Sequence, residues 1–93
     1  MADDLKDLIA KAAEALRKEG AREVYVFGSA ATGRLREGSD VDLAVSGLPP
    51  RLYLHALGEA IDILQVPVDL VDLDQDTPFS QHLKEEGKLV RVG

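Results

Sequence analysis

Two aspartates one residue apart, Asp40 and Asp42, lead into the apolar run "VDLAV" at residues 41–45. Side chains on a strand alternate between faces, so the two carboxylates share one face while Val41 and Leu43 point into a core. Like charges held that close repel unless water solvates them, one keeps a proton, or a cation sits between them. Hard oxygen donors with no histidine or cysteine nearby favour Mg²⁺ or Mn²⁺ over zinc. Asp69 lies in a later run, between Val68 and Leu70, and joins the pair if its strand lies beside the first. Three carboxylates can hold two metal ions roughly 3.5–4 Å apart, the spacing used for in-line phosphoryl or nucleotidyl displacement. Upstream, Gly28-Ser29 follows the β-branched and aromatic run "EVYVF". A glycine there lets backbone N–H groups approach a phosphate, a serine adds a hydroxyl donor, and a helix start adds positive dipole. The turn would hold a polyphosphate tail, and the aspartates the metal that bridges it.

Each feature taken alone has an ordinary explanation. A Gly-Ser pair is a turn, a D-x-D at a strand start is solvated charge, and an acid on an edge strand faces water. The inference rests on their order: strand, Gly-Ser, fixed gap, Ser-Asp-x-Asp, strand, and a third acid on a later strand. His55 and His82 read as surface histidines, and Tyr25 and Tyr53 as partly buried rings. Asp72, Asp74 and Asp76 read as a solvent-facing acidic run.

The elements needed to position these groups are legible. Residues 3–19 read as a helix with Leu5, Leu8, Ile9, Ala12 and Leu16 on one stripe, Arg17 and Lys18 near its end and Gly20 as C-cap. Residues 23–27 and 41–45 read as strands. "GLPP" breaks the chain, and Pro50 opens a second helix whose stripe is Leu54, Leu57, Ile61 and Leu64. A third strand follows at 66–73, where Pro67 marks a sheet edge or a first residue. Thr77 as N-cap, Pro78 at N1 and Gly87 as C-cap bound a third helix, and "KLVRV" gives a short last strand. The order αβ(turn)βαβαβ predicts an α/β (α+β) fold, a small mixed sheet covered by helices.

Composition narrows the function. The 93 residues suffice for a single domain, 1–93, with a thin core. Eleven Lys+Arg against 17 Asp+Glu give a net charge of −6, which argues against direct nucleic-acid binding through phosphate neutralisation. There is no cysteine, which excludes a disulfide framework and a thiolate zinc site. The charged N-terminal stretch and the absence of a long apolar run predict neither a secretory leader nor a membrane span, and a cytoplasmic location fits. The lack of asparagine and cysteine beside abundant Arg, Glu and Leu is a compositional hint of a heat-tolerant source.

Gly28-Ser29, ten intervening residues, then Asp40-Val41-Asp42 resembles the signature of the DNA polymerase beta-like nucleotidyltransferase superfamily, and the short chain resembles its minimal branch. The similarity covers nearly the whole chain, through "HLKEEGKLVRV". It implies the polymerase beta-like fold. It implies that Gly28 and Ser29 contact the β- and γ-phosphates of ATP and that Asp40 and Asp42 ligate two Mg²⁺ ions. Asp69 would be the third carboxylate, helping to deprotonate or orient the acceptor hydroxyl, and Ser39 would support the Asp40 loop. Members of this branch are typically encoded beside a helical HEPN-type protein, and several act as antitoxins that transfer AMP from ATP to a tyrosine of that partner. This chain departs from the usual "GSRARG" turn: Ala30 and Thr32 stand where arginines often grip the triphosphate, with Arg34 or Arg36 as candidate substitutes.

Three functions follow as expectations. The first is transfer of AMP to a hydroxyl, a partner tyrosine, in a hetero-oligomer. The second is a catalytically weak or inactive docking subunit that neutralises its partner by contact. The third is transfer to a small molecule of the aminoglycoside type, for which the short chain leaves no second domain to build an acceptor pocket.

Overall fold

The computed structural model describes residues 5–28, 40–87 and 89–92. Helix α1 (Leu5–Lys18) is followed by strands β1 (Glu23–Phe27) and β2 (Val41–Ser46). A short 3₁₀ turn (Pro50–Leu52) leads into α2 (Tyr53–Leu64), then β3 (Val68–Asp72), α3 (Pro78–Glu86) and the brief β4 (Val90–Arg91). The four strands form one mixed sheet in the order β3-β2-β1-β4. β1 runs antiparallel to β2 and β4, whereas β2 and β3 are parallel. The parallel pair needs a crossover connection, which α2 supplies.

Alternation along β2 assigns the two faces. Val41, Leu43 and Val45 are fully buried with Val24 and Val26 of β1 against Ile9, Ala12, Ala13 and Leu16 of α1 and Ala56, Ala60 and Leu64 of α2. The opposite face carries a smaller cluster, Phe27, Ala44, Leu73 and Leu83, under α3. Asp42 belongs to this second face, since it pairs across β1 with Phe27.

Local signals set the element ends. The turn after α1 closes on Gly20, at φ +125, with Ala21 N–H donating to the Leu16 carbonyl at 3.1 Å. The Thr77 hydroxyl accepts from Ser80 N–H at 3.1 Å, Pro78 takes the first helical position, and Gly87 ends α3 at φ +65. Ser80, fully buried, also donates its hydroxyl to the Gln75 carbonyl at 2.5 Å, which locks this helix start to the preceding turn. β3 is an edge strand preceded by Pro67, whose carbonyl accepts from Val41 N–H.

The expected stripe on α2 holds at Leu64, which is buried, and at Leu57, which packs against the core, and requires correction at Leu54 and Ile61. Leu54 is 76% exposed and Ile61 40% exposed, while Ala56, Ala60 and Leu64 are buried. The helix turns its alanines inward because α1 presents Ala12 and Ala13 opposite them, and small residues let the two axes approach. His55, at 63% side-chain exposure, is a surface histidine as expected, and Tyr25 and Tyr53 are half-buried.

Candidate active site

β2 and β3 pair in register, with Asp42 directly beside Asp69. Parallel partners share a face, so the third acid joins the side of the sheet that holds Asp42. Asp40 precedes the strand by one residue and is exposed, as is Asp69; Asp42 is half-buried. Burial raises the Asp42 carboxyl above its ordinary value first, and the negative charges of Asp69 and then Asp40 raise it further. The three acids therefore act on one another. Among the described residues, their oxygens do not draw together into a set of three within 4.8 Å.

Gly28 closes the other side. Its φ is +62, a left-handed conformation that suits glycine. A Cβ added there would lie 2.5 Å from Asp42 Oδ2. The turn at the end of β1 thus passes close over the central carboxylate, with only a hydrogen between them. Ser29, Ser39, Arg34 and the rest of residues 29–39, with Ala30, Thr32 and Arg36, lie outside the described residues.

The donor set fits a hard divalent cation. It offers carboxylate oxygens from two adjacent strands, and its central member is held in a field of like charge that a cation would relieve. A different ligand-like group, Glu19, His55 and Glu59, brings its atoms within 4.8 Å of one another on the α1–α2 layer. His55 Nδ1 lies 3.0 Å from Glu19, whose side chain is 17% exposed, and its Nε2 3.9 Å from Glu59.

Two contacts could not be read from the sequence, which marks Tyr53 only as a partly buried ring. Tyr53 donates its hydroxyl to the Leu70 carbonyl, and burial with the charges of Asp69 and Asp72 raises its phenol. Phe79 in the first turn of α3 packs edge-on against Phe27, ring centroids 6.1 Å apart. Hydrophobic spacing gives no hint of either, because both contacts join elements distant in sequence. The acidic run after β3 is in part structural: Asp72 accepts from Asp74 N–H, and Asp74 accepts from Gly47 N–H at 2.6 Å.

Residues 10–91 match the family model for polymerase beta nucleotidyltransferases. The chain belongs to this family. The nucleotidyltransferase fold also superposes on a solved structure assigned as a minimal nucleotidyltransferase, with 28% identity and a TM-score of 0.70 over 98% of this chain and 96% of that one. A toxin-antitoxin structure with AMP-PNP aligns at TM-score 0.68 and 24% identity, covering 92% of this chain and 70% of its own. A toxin-antitoxin MntA-HpeT mutant aligns at 0.66 and 19%, covering 96% and 71%. Curated proteins give no significant match. Among the described residues, no helix is long and apolar enough to cross a membrane.

Proposed function

We propose that this chain is a Mg²⁺-dependent nucleotidyltransferase that serves as the antitoxin of a toxin-antitoxin pair, transferring AMP from ATP to a tyrosine hydroxyl of a HEPN-type partner in the cytoplasm. The observation that carries the reading is the register of Asp42 with Asp69 beneath the Gly28 turn. The family match supports nucleotidyl transfer. Among the structural neighbours, one is a toxin-antitoxin structure that holds AMP-PNP, and another carries Asp-to-Glu substitutions at two positions spaced like Asp40 and Asp42.

In this reading Asp40, Asp42 and Asp69 are the residues that would hold two Mg²⁺ ions. Such ions would supply charge neutralisation for the triphosphate and lower the pKa of the acceptor hydroxyl. The chain's own residues do the rest. Gly28 and Ser29 bind the β- and γ-phosphates through backbone N–H groups and the serine hydroxyl. Asp69 accepts the proton of the tyrosine hydroxyl. The freed oxygen bonds to the α-phosphorus, the bond from that phosphorus to the β-bridging oxygen breaks, and pyrophosphate leaves. By the family resemblance, Ser39 would support the Asp40 loop and Arg34 would grip phosphate in place of the arginines usual in the turn.

Incubation with α-labelled ATP, Mg²⁺ and the partner protein tests this. Label on the partner from wild type, and none from Asp42→Ala, is expected; equal partner labelling by both would overturn it. The missing turn arginines at positions 30 and 32 favour one competing reading, a docking subunit. If Asp42→Ala still neutralises the partner fully, that reading replaces catalysis.

A further inference from the structure

We infer that Phe79 is the platform on which the base of the nucleoside triphosphate stacks. The inference rests on the nucleotidyltransferase reading and adds the group that separates a nucleotide from a bare polyphosphate. The chain has two tyrosines, two phenylalanines and no tryptophan. Tyr25 donates its hydroxyl to Glu23, Tyr53 donates to the Leu70 carbonyl, and Phe27 is 8% exposed inside the smaller cluster. Phe79 differs from all three: it is 51% exposed and lies outside that cluster.

Its position is not arbitrary. Phe27, against which it leans, pairs in register with Asp42 and directly precedes Gly28. Residues paired across antiparallel strands share a face, so Phe27 stands on the Asp42 side of the sheet and Phe79, packed on Phe27, lies one ring away from the cross-strand partner of the central carboxylate. The contact with Phe27 is edge-to-face, at an interplanar angle of 63°. That arrangement holds the ring without covering both of its faces. The helix start behind it is fixed by the Thr77 cap, by Pro78 and by the buried Ser80. A pre-set ring of two torsions loses little entropy when a flat partner lies on it. The acids on this face of the sheet also favour that mode of binding. With Asp40, Asp42 and Asp69 on this side, a base is best held by stacking, which needs no charge.

Stacking on an aromatic ring tolerates any base, so Phe79 supplies affinity for the nucleoside and not the choice between adenine and guanine. Titration calorimetry with Mg²⁺ tests this on three probes: non-hydrolysable analogues of ATP and GTP, and inorganic tripolyphosphate. Phe79→Ala is expected to weaken both nucleotides alike by about 5- to 150-fold and to leave tripolyphosphate unchanged. Phe79→Trp is expected to restore nucleotide binding. Unchanged ATP affinity in Phe79→Ala overturns the inference, including the case in which that variant loses affinity for the partner protein instead. Equal loss of all three probes overturns it as well, since that marks a collapsed helix start. If wild type binds neither tripolyphosphate nor nucleotide, the nucleotidyltransferase reading itself falls, and this inference with it.

Discussion

Asp42 pays for its position in the absence of a counter-ion. Burial and two acid neighbours hold its carboxyl above the ordinary range, so the folded chain binds that proton more tightly than the unfolded chain does. Stability from this group is greatest below the unfolded carboxylate pKa and falls as pH rises through the folded value; above it the penalty is constant. Asp42→Asn should therefore raise the melting temperature of the metal-free protein near neutral pH by a few degrees and flatten its fall with rising pH, as read by thermal melts in EDTA from acid to neutral pH. Gly28 is a second residue-scale test. Alanine there would occupy a left-handed backbone at a cost of about 1–2 kcal/mol, and its Cβ would push Asp42 Oδ2 aside. A chemical melt should show that modest loss, while nucleotidyl transfer falls much further, because the displaced atom belongs to the proposed metal site.

Among elements, strands and caps were legible and helix faces less so. β1 coincides with the run Glu23–Phe27, and Thr77, Pro78 and Gly87 bound α3 as their chemistry predicts, since caps and period-two runs are local signals. The side-by-side placement of Asp42 and Asp69 was conditional on strand order, which no local signal encodes. The face of α2 was legible only in part, at Leu57 and Leu64. Leucine and isoleucine spacing marks Leu54 and Ile61, yet the buried positions are Ala56, Ala60 and Leu64, since what decides is the alanine face of α1. This predicts an inversion of the usual size rule. Ala60→Leu should cost about 1–3 kcal/mol by forcing α1 and α2 apart. Ile61→Ser should stay within about 0.5 kcal/mol of wild type, both read from urea melts. A large loss from Ile61→Ser would place that residue at an interface the isolated chain does not display.

At the scale of the molecule, acidity and site are linked. A net charge of −6 disfavours the compact chain through self-repulsion, and the three aspartates concentrate part of it between β2 and β3. Any cation that binds the folded form alone stabilises it by mass action, about 2.7 kcal/mol at a concentration 100 times its dissociation constant. Salt also screens surface charge, so the comparison must be made at matched ionic strength with KCl. Under that control, Mg²⁺ with a non-hydrolysable ATP analogue should raise the wild-type melting temperature by on the order of 10 °C. Asp42→Asn should respond little. The two proteins then exchange rank: the variant is the more stable in EDTA, and wild type is the more stable with metal and nucleotide. A general effect of charge would shift both proteins together and preserve their order. The crossing follows only if the repulsion that destabilises the empty site is the same field that binds the cation.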